Sequence, residues 1–414
     1  MSLSSERFIK PLYDSYCFSN IPSTIEKLLG VETEGALPEK TMPEGKYGEY
    51  QKVVFLFVDA FGWKSFERFK DRYPALQKFV RSGAVSEITS QFPSTTPVHV
   101  TTINTGLSVG ESGVYEWFYY EPKLDAVIAP LLFSFAKNKE RDTLVPTGID
   151  PKDLFPTKTI YDKFKKYGIK SSIFQPAEFA FSPYNKAVTS GVDNVFPYIS
   201  CAEGLTKLAD DLMGQEGKSY HFYYYGMIDS MGHTYGPDSK YFEAEVDLFF
   251  TALDHIFLKA VEGKVDNTMI LLSADHGQTN VDPKTTVYLN REIKNIADYF
   301  KTTKDGLPIV PAGSCRDMFL HVKEEKIPEL IERLDKLLAG KAEVYKTEEL
   351  IKQGFFGSKI SKTFLSRVGN VVVLPYAGES VWWYEEGVFK QRHKGHHGGL
   401  TPEEMKIPFL ALPF

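Results

Sequence analysis

Three apolar runs of this sequence lead into an aspartate, and two of them carry a histidine close behind. "KVVFLFVDAFG" (52–62) stops at Asp59. "SYHFYYYGMIDSMGH" (219–233) leads into Asp229 and His233, four residues apart, and "NTMILLSADHGQ" (267–278) stops at Asp275 and His276. Near the C-terminus "HKGHHGG" (393–399) sets His393, His396 and His397 among glycines. "FPSTTPVHVTTINTG" (92–106) crowds five threonines and a serine around two prolines and a histidine. Aspartate, histidine and a hydroxyl are the donor set of divalent metals of borderline character, zinc first. Six such ligands from separate segments divide into two sites of three, each keeping the open position of a catalytic centre. Two metals a few ångströms apart suit in-line displacement at phosphorus, one activating the nucleophile and the other stabilising the leaving oxygen. A threonine hydroxyl on a metal has a lowered pKa, and at a helix N-terminus it faces N–H groups that accept a phosphoryl anion.

Each segment also has an ordinary reading. Aspartate at a strand end caps the next helix, and Ser and Thr are good N-caps. "ADHGQ" suits a β-turn, and a histidine-rich run suits a tag. Capping does not explain three apolar runs that lead into acid, and a tag is not followed by a strand such as "PEEMKIPFLALPF". The spacing of Asp229 and His233 fits one helical face or a glycine-containing turn. Gly226, Gly232, Gly236 and Pro237 around them suggest a loop-like setting.

The elements that must hold these residues alternate. Continuous apolar runs at 52–62, 169–179, 219–225 and 267–278 read as strands covered on both faces. Helical patterns at 157–168 and 244–263 lie between them. This rhythm predicts an α/β domain with a mostly parallel sheet flanked by helices, whose ligands bind beyond the carboxyl ends of the strands. After residue 280 the texture changes. Residues 285–390 read as strand, amphipathic helix, strand, short helix and a hairpin at "NVVVLPYAGESVWWY", a smaller α+β insertion expected to cap the site. The core is then 1–284 with 391–414, closed by a final strand.

The 414 residues allow two domains or one with an insertion. A net charge of −6 leaves no basic excess for polymeric nucleic acid. Cys17, Cys201 and Cys315 are too few and scattered for a disulfide framework. With no apolar run of about 20 residues and no signal-peptide core, a cytoplasmic protein off the membrane, acting on a small substrate, is expected.

Taken in order, "FVDAFG", "FPSTTPVH…TG", "DSMGHTYGP", "ADHGQ" and "HHGGLTPEEM…P" resemble the type I phosphodiesterase/nucleotide pyrophosphatase family of the alkaline phosphatase superfamily. The resemblance covers about residues 50–285 and 390–414. It implies two divalent ions, Zn2+ first and Mn2+ as alternative. Asp59, Asp275, His276 and the nucleophile hydroxyl hold one; Asp229, His233 and His397, or its neighbour His396, hold the other. Family nucleophiles sit two residues before a proline and four before a histidine, which selects Thr95 over Thr96. The implied activity is hydrolysis of a phosphodiester or pyrophosphate bond in a small phosphorylated substrate, such as a nucleotide, through a phosphothreonine. A phosphomonoesterase or phosphomutase is the enzymatic alternative, and a metal-binding regulatory protein the non-enzymatic one. The family's "HGI" and phosphate-binding Asn are replaced by "SGVYEW", so Glu116, Trp117 and Thr96 are expected near the substrate.

Overall fold

The computed structural model of the chain describes residues 7–138 and 140–414. Its central sheet has seven strands in the order 84–89, 406–413, 268–273, 52–58, 219–225, 170–176, 194–198. The five from 268–273 onward are mutually parallel; Lys406–Pro413 runs antiparallel to both of its neighbours. Strand Lys52–Val58 lies at the middle. Its residues Val53–Val58 are fully buried, which is why its apolar run does not alternate. Each such side chain contributes roughly 1.5–3 kcal/mol by leaving water. Two groups of helices cover the sheet. Trp63–Phe69, Pro74–Ser82, Cys201–Gly214 and Lys240–Ala252 form one, and Ile21–Leu28, Thr96–Thr105 and Ile160–Lys166 the other.

Register decides where the acids fall. Val58 pairs with Tyr225 and Phe57 with Ser273, so the three central strands end at one level. The turns beyond them then meet. Ala60 takes a left-handed φ of 61°, which bends the chain sharply after Asp59. Gly62 packs on Gly277, and a side-chain carbon on Gly62 would fall 2.6 Å from the Gly277 Cα. Glycine is needed for this approach of two backbones.

Residues 285–390 build a separate three-stranded antiparallel sheet, 318–320, 371–375 and 342–346 in that order, backed by helix Ile327–Leu337. The hairpin expected at 370–384 does not form. Val371–Pro375 becomes the middle strand, and Val381–Trp382 pairs in parallel with Val287–Tyr288. A second small sheet, residues 119–135, joins this region through the buried Glu121–Arg367 ion pair.

The insertion is fastened to the core by Arg316. It is fully buried, and its guanidinium meets Glu404 two-fold, Nε to Oε1 at 3.0 Å and Nη2 to Oε2 at 2.9 Å. Glu404 in turn accepts from Gly399 N at 3.0 Å, so the pair also anchors the loop that carries His397. Arg316→Met strands a buried carboxylate, and an expected loss of about 3–5 kcal/mol follows, measurable by urea denaturation.

Candidate active site

Asp229 and His233 lie on helix Met227–Tyr235, not in a loop; their spacing puts both on one face. The first turn of helix Thr96–Thr105 lies opposite, and the turns carrying Asp59 and Asp275–His276 lie between. His397 comes from the C-terminal loop, whose Gly398 bridges Ser94.

Two groups of ligand atoms result. In the first, His276 Nε2 lies 3.4 Å from Asp59 Oδ1 and 3.1 Å from Asp275 Oδ2. In the second, His233 Nε2 lies 3.4 Å from Asp229 Oδ2 and 3.2 Å from His397 Nε2, which is 3.6 Å from Asp229 Oδ1. The His276 and His397 rings stack at 3.5 Å, which joins the two groups.

The histidines share one feature. Each places Nδ1 against a backbone carbonyl: His233 on Gly395 at 2.9 Å, His276 on Gly277 at 3.1 Å, His397 on Ser94 at 2.9 Å. A carbonyl only accepts, so Nδ1 carries the proton and the neutral ring would turn its Nε2 lone pair inward, the orientation that metal-ligating histidines take. Two facing Nε2 lone pairs at 3.2 Å, beside buried unpartnered oxygens of Asp59 and Asp275, require a positive charge among them. Burial, with the charges of Asp275 and Asp229, pushes the Asp59 carboxyl well above its ordinary range. Burial, with His276 and His233, pushes His397 well below its own. These are groups that divalent cations would relieve, and the donors fit such ions. His397 Nε2 meets both Asp229 and His233, whereas His396 turns Nδ1 to the His397 carbonyl; His233, His393 and His396 also form a possible ligand cluster of their own.

The adjacent threonines diverge. Thr96 Oγ1 lies 3.4 Å from Asp59 Oδ2 and 3.3 Å from His276 Nε2. Thr95, which spacing to Pro97 and His99 selects, is the extended N-cap residue, and its side chain meets Glu116. The geometry corrects that expectation: Thr96, first residue of the helix, carries the hydroxyl that faces the first ligand group. Its neighbours are otherwise employed. Thr101 donates to the Pro97 carbonyl, Thr102 to Leu107 and Thr105 to Thr101. His99, buried and held near pKa 4 by that burial, joins the Thr95 carbonyl at 2.8 Å and accepts from Gln91 N at 3.0 Å. It pins the threonine turn, a role the sequence reading missed although His99 was its landmark.

A cavity of about 900 Å3 opens on Asp59, Thr96 and Asp229. Trp117 lines it, with Leu131, Arg141, Phe179, Tyr198 and Tyr224. Tyr224 also donates to Asp59 Oδ2 at 2.5 Å. Glu116 does not line it. Its carboxyl is fully buried toward Thr95, so the expectation of substrate contact is corrected for this residue. None of the walls comes from 285–390 among the described residues, so the insertion does not cap the cavity; Leu131, Leu132 and Arg141 wall it with residues from 175–202.

The model of the type I phosphodiesterase/nucleotide pyrophosphatase family matches residues 53–400. The chain belongs to this family. The type I phosphodiesterases are metal-dependent hydrolases, and the two ligand groups of this member lie within the matched span. Among solved structures it is similar to murine ectonucleotide pyrophosphatase/phosphodiesterase 5, an inactive threonine-to-alanine variant in complex with AMP. That likeness has 19% identity, 88% of each chain covered and a TM-score of 0.67. The human counterpart gives 18%, 88% of each chain and 0.67. Phosphonoacetate hydrolase from Sinorhizobium meliloti, in complex with phosphonoformate, gives 15% identity, 89% of this chain, 91% of the other and 0.62. No curated protein matches the chain. These likenesses show that the chain shares its fold with those proteins. No helix among the described residues is long and apolar enough to cross a membrane.

Proposed function

We propose that this phosphodiesterase-family enzyme cleaves a phosphodiester or pyrophosphate bond with Thr96 as nucleophile and two divalent ions, Zn2+ first. Asp59, Asp275, His276 and Thr96 would hold one ion; Asp229, His233 and His397 the other. The carrying observation is the Thr96 hydroxyl, within 3.4 Å of Asp59 and His276 and at a helix N-terminus. Bound there, the ions would lower the hydroxyl's pKa and neutralise charge on the phosphoryl group. The chain supplies the rest. Thr96 attacks phosphorus in line and forms a phosphothreonine; the leaving alcohol or phosphate departs, and water hydrolyses the ester. Free N–H groups of the first helical turn receive the phosphoryl oxygens. The apolar cavity beside Thr96 receives the organic group, and its aromatic walls suit a ring or a nucleobase. The AMP bound to the murine relative supports a nucleotide, and the inactivity of its threonine variant supports a threonine nucleophile. The three unpaired thiols favour a reducing, cytoplasmic setting.

The test is a hydrolysis panel on zinc-loaded protein: bis-(p-nitrophenyl) phosphate, p-nitrophenyl phosphate, a nucleotide p-nitrophenyl ester and p-nitrophenyl sulfate. The two diesters are expected to turn over fastest. A preference for the monoester would replace the reading with a phosphatase.

A further inference from the structure

We propose that Glu116 and Asp317, with the hydroxyls of Ser314 and Thr95, form a third cation site behind the threonine turn, for a hard divalent ion such as Mg2+ or Ca2+. Both acids are fully buried, and their carboxyl groups lie in hydrogen-bonding range of each other. Glu116 Oε1 and Asp317 Oδ2 have no hydrogen-bond partner. Ser314 Oγ meets Asp317 Oδ1 at 2.5 Å. These oxygens converge over one backbone atom. The point where a side-chain carbon on Gly398 would sit lies 2.6 Å from Ser314 Oγ, 2.8 Å from Asp317 Oδ1 and 3.2 Å from Glu116 Oε1. Only glycine, here at φ 122°, leaves that space open. The Thr95 hydroxyl lies within hydrogen-bonding reach of the Glu116 carboxyl.

The other deep acids of this chain are supplied with bases. Outside the two histidine groups, Glu121 has Arg367, Glu404 has Arg316, and Asp254 has Lys259. Among the described residues, Glu116 and Asp317 have none. Arg316, next in sequence to Asp317, is turned to Glu404 and to the carbonyls of Tyr376 and Pro375. Two buried carboxylates this close need a counter-charge or a proton, because stranding each ion costs several kcal/mol. The donors are all oxygen, without the nitrogen of the two histidine groups, and that selects a hard cation. Glu116 and Thr95 belong to the core and Ser314 and Asp317 to the insertion, so the ion would tie the two together beside the nucleophile turn. The competing state is a shared proton, and burial does push the Glu116 carboxyl up to about 7.

Equilibrium dialysis of zinc-loaded protein against about 5 mM MgCl2, and separately CaCl2, with elemental analysis of the retentate, decides between them. Wild type is expected to hold one more Mg2+ or Ca2+ per chain than Glu116→Gln, with unchanged zinc, and its melting temperature to rise with the cation while that of the variant does not. Equal uptake by wild type and variant overturns the site, as does a variant that melts higher than wild type at every cation concentration. Asp317→Asn gives an independent arm, and the wild-type cation count stands if either variant fails to fold. A zinc content below two per chain would count against the two-ion reading without touching this comparison.

Discussion

Thr96→Ala is expected to lower diesterase turnover by roughly 10^4-fold or more, since it removes the atom proposed to attack. Under the proposed ligand set, zinc content should change little, because Asp59, Asp275 and His276 would remain to hold the first ion. Thr95→Val is the necessary partner experiment. Thr95 is extended, with φ −139° and ψ 147°, and its side chain meets the buried Glu116, whereas Thr96 opens the helix beside Asp59. Losing one buried hydrogen bond is worth about 1–1.5 kcal/mol, so Thr95→Val should stay within ~10-fold of wild type. Acid-quenched reaction mixtures should carry phosphate on the peptide containing Thr96 in wild type and in Thr95→Val, and none in Thr96→Ala. The reverse pattern, with Thr95→Val dead and Thr96→Ala labelled, would restore the spacing rule and overturn the geometric assignment.

The same residues show what sequence can and cannot carry. Asp59 and Asp275 were legible because fully buried strands write themselves as unbroken apolar runs, and a polar residue ending such a run marks the end of the strand. Register then brings three separate runs to one level, as the pairing of Val58 with Tyr225 does. The choice between Thr95 and Thr96 was not legible. It depends on whether the helix begins at one residue or the next, and boundaries of that kind hang on a single φ/ψ value. The helical setting of Asp229 and His233 was obscured by Gly226, Gly232 and Gly236. Gly232 proves to be a helical residue whose missing side chain makes room for Gln278, its would-be carbon lying 2.2 Å from Gln278 Oε1. Gln278 uses that place to donate to Asp229 Oδ1 at 2.6 Å. The segment 285–390 drew notice as a change of texture, yet its spatial relation to the cavity depends on long-range packing that no local pattern records. Glu116 drew notice as a departure at a phosphate-binding position. Its burial against Asp317, some two hundred residues on, lay outside anything spacing could signal.

Asp59→Asn should separate function from stability. Activity is expected to fall at least about 10^3-fold, because one of the four residues proposed to hold the first ion is lost and its affinity with it. The metal-free variant, however, should be more stable than metal-free wild type. Burial, and then the like charges of Asp275 and Asp229, raise the folded pKa of Asp59 above the unfolded value of 3.8. A carboxyl raised in this way contributes fully only below its unfolded pKa, and that stability is lost as pH rises through the folded pKa. Asparagine has no proton to lose. Its advantage should therefore grow with pH, from near zero around pH 4 to ~1–2 kcal/mol around pH 8. Adding zinc should reverse the order, since binding to the folded wild type adds RT ln(1 + [Zn]/Kd) that the variant gains only weakly. Urea denaturation at the two pH values, with and without zinc, reads all four quantities. If metal-free Asp59→Asn were the less stable protein at both pH values, Asp59 would be making favourable contacts of its own, with Tyr224 and the Thr96 hydroxyl as the partners at hand. The strain of crowding acids around an ion site would then reside elsewhere.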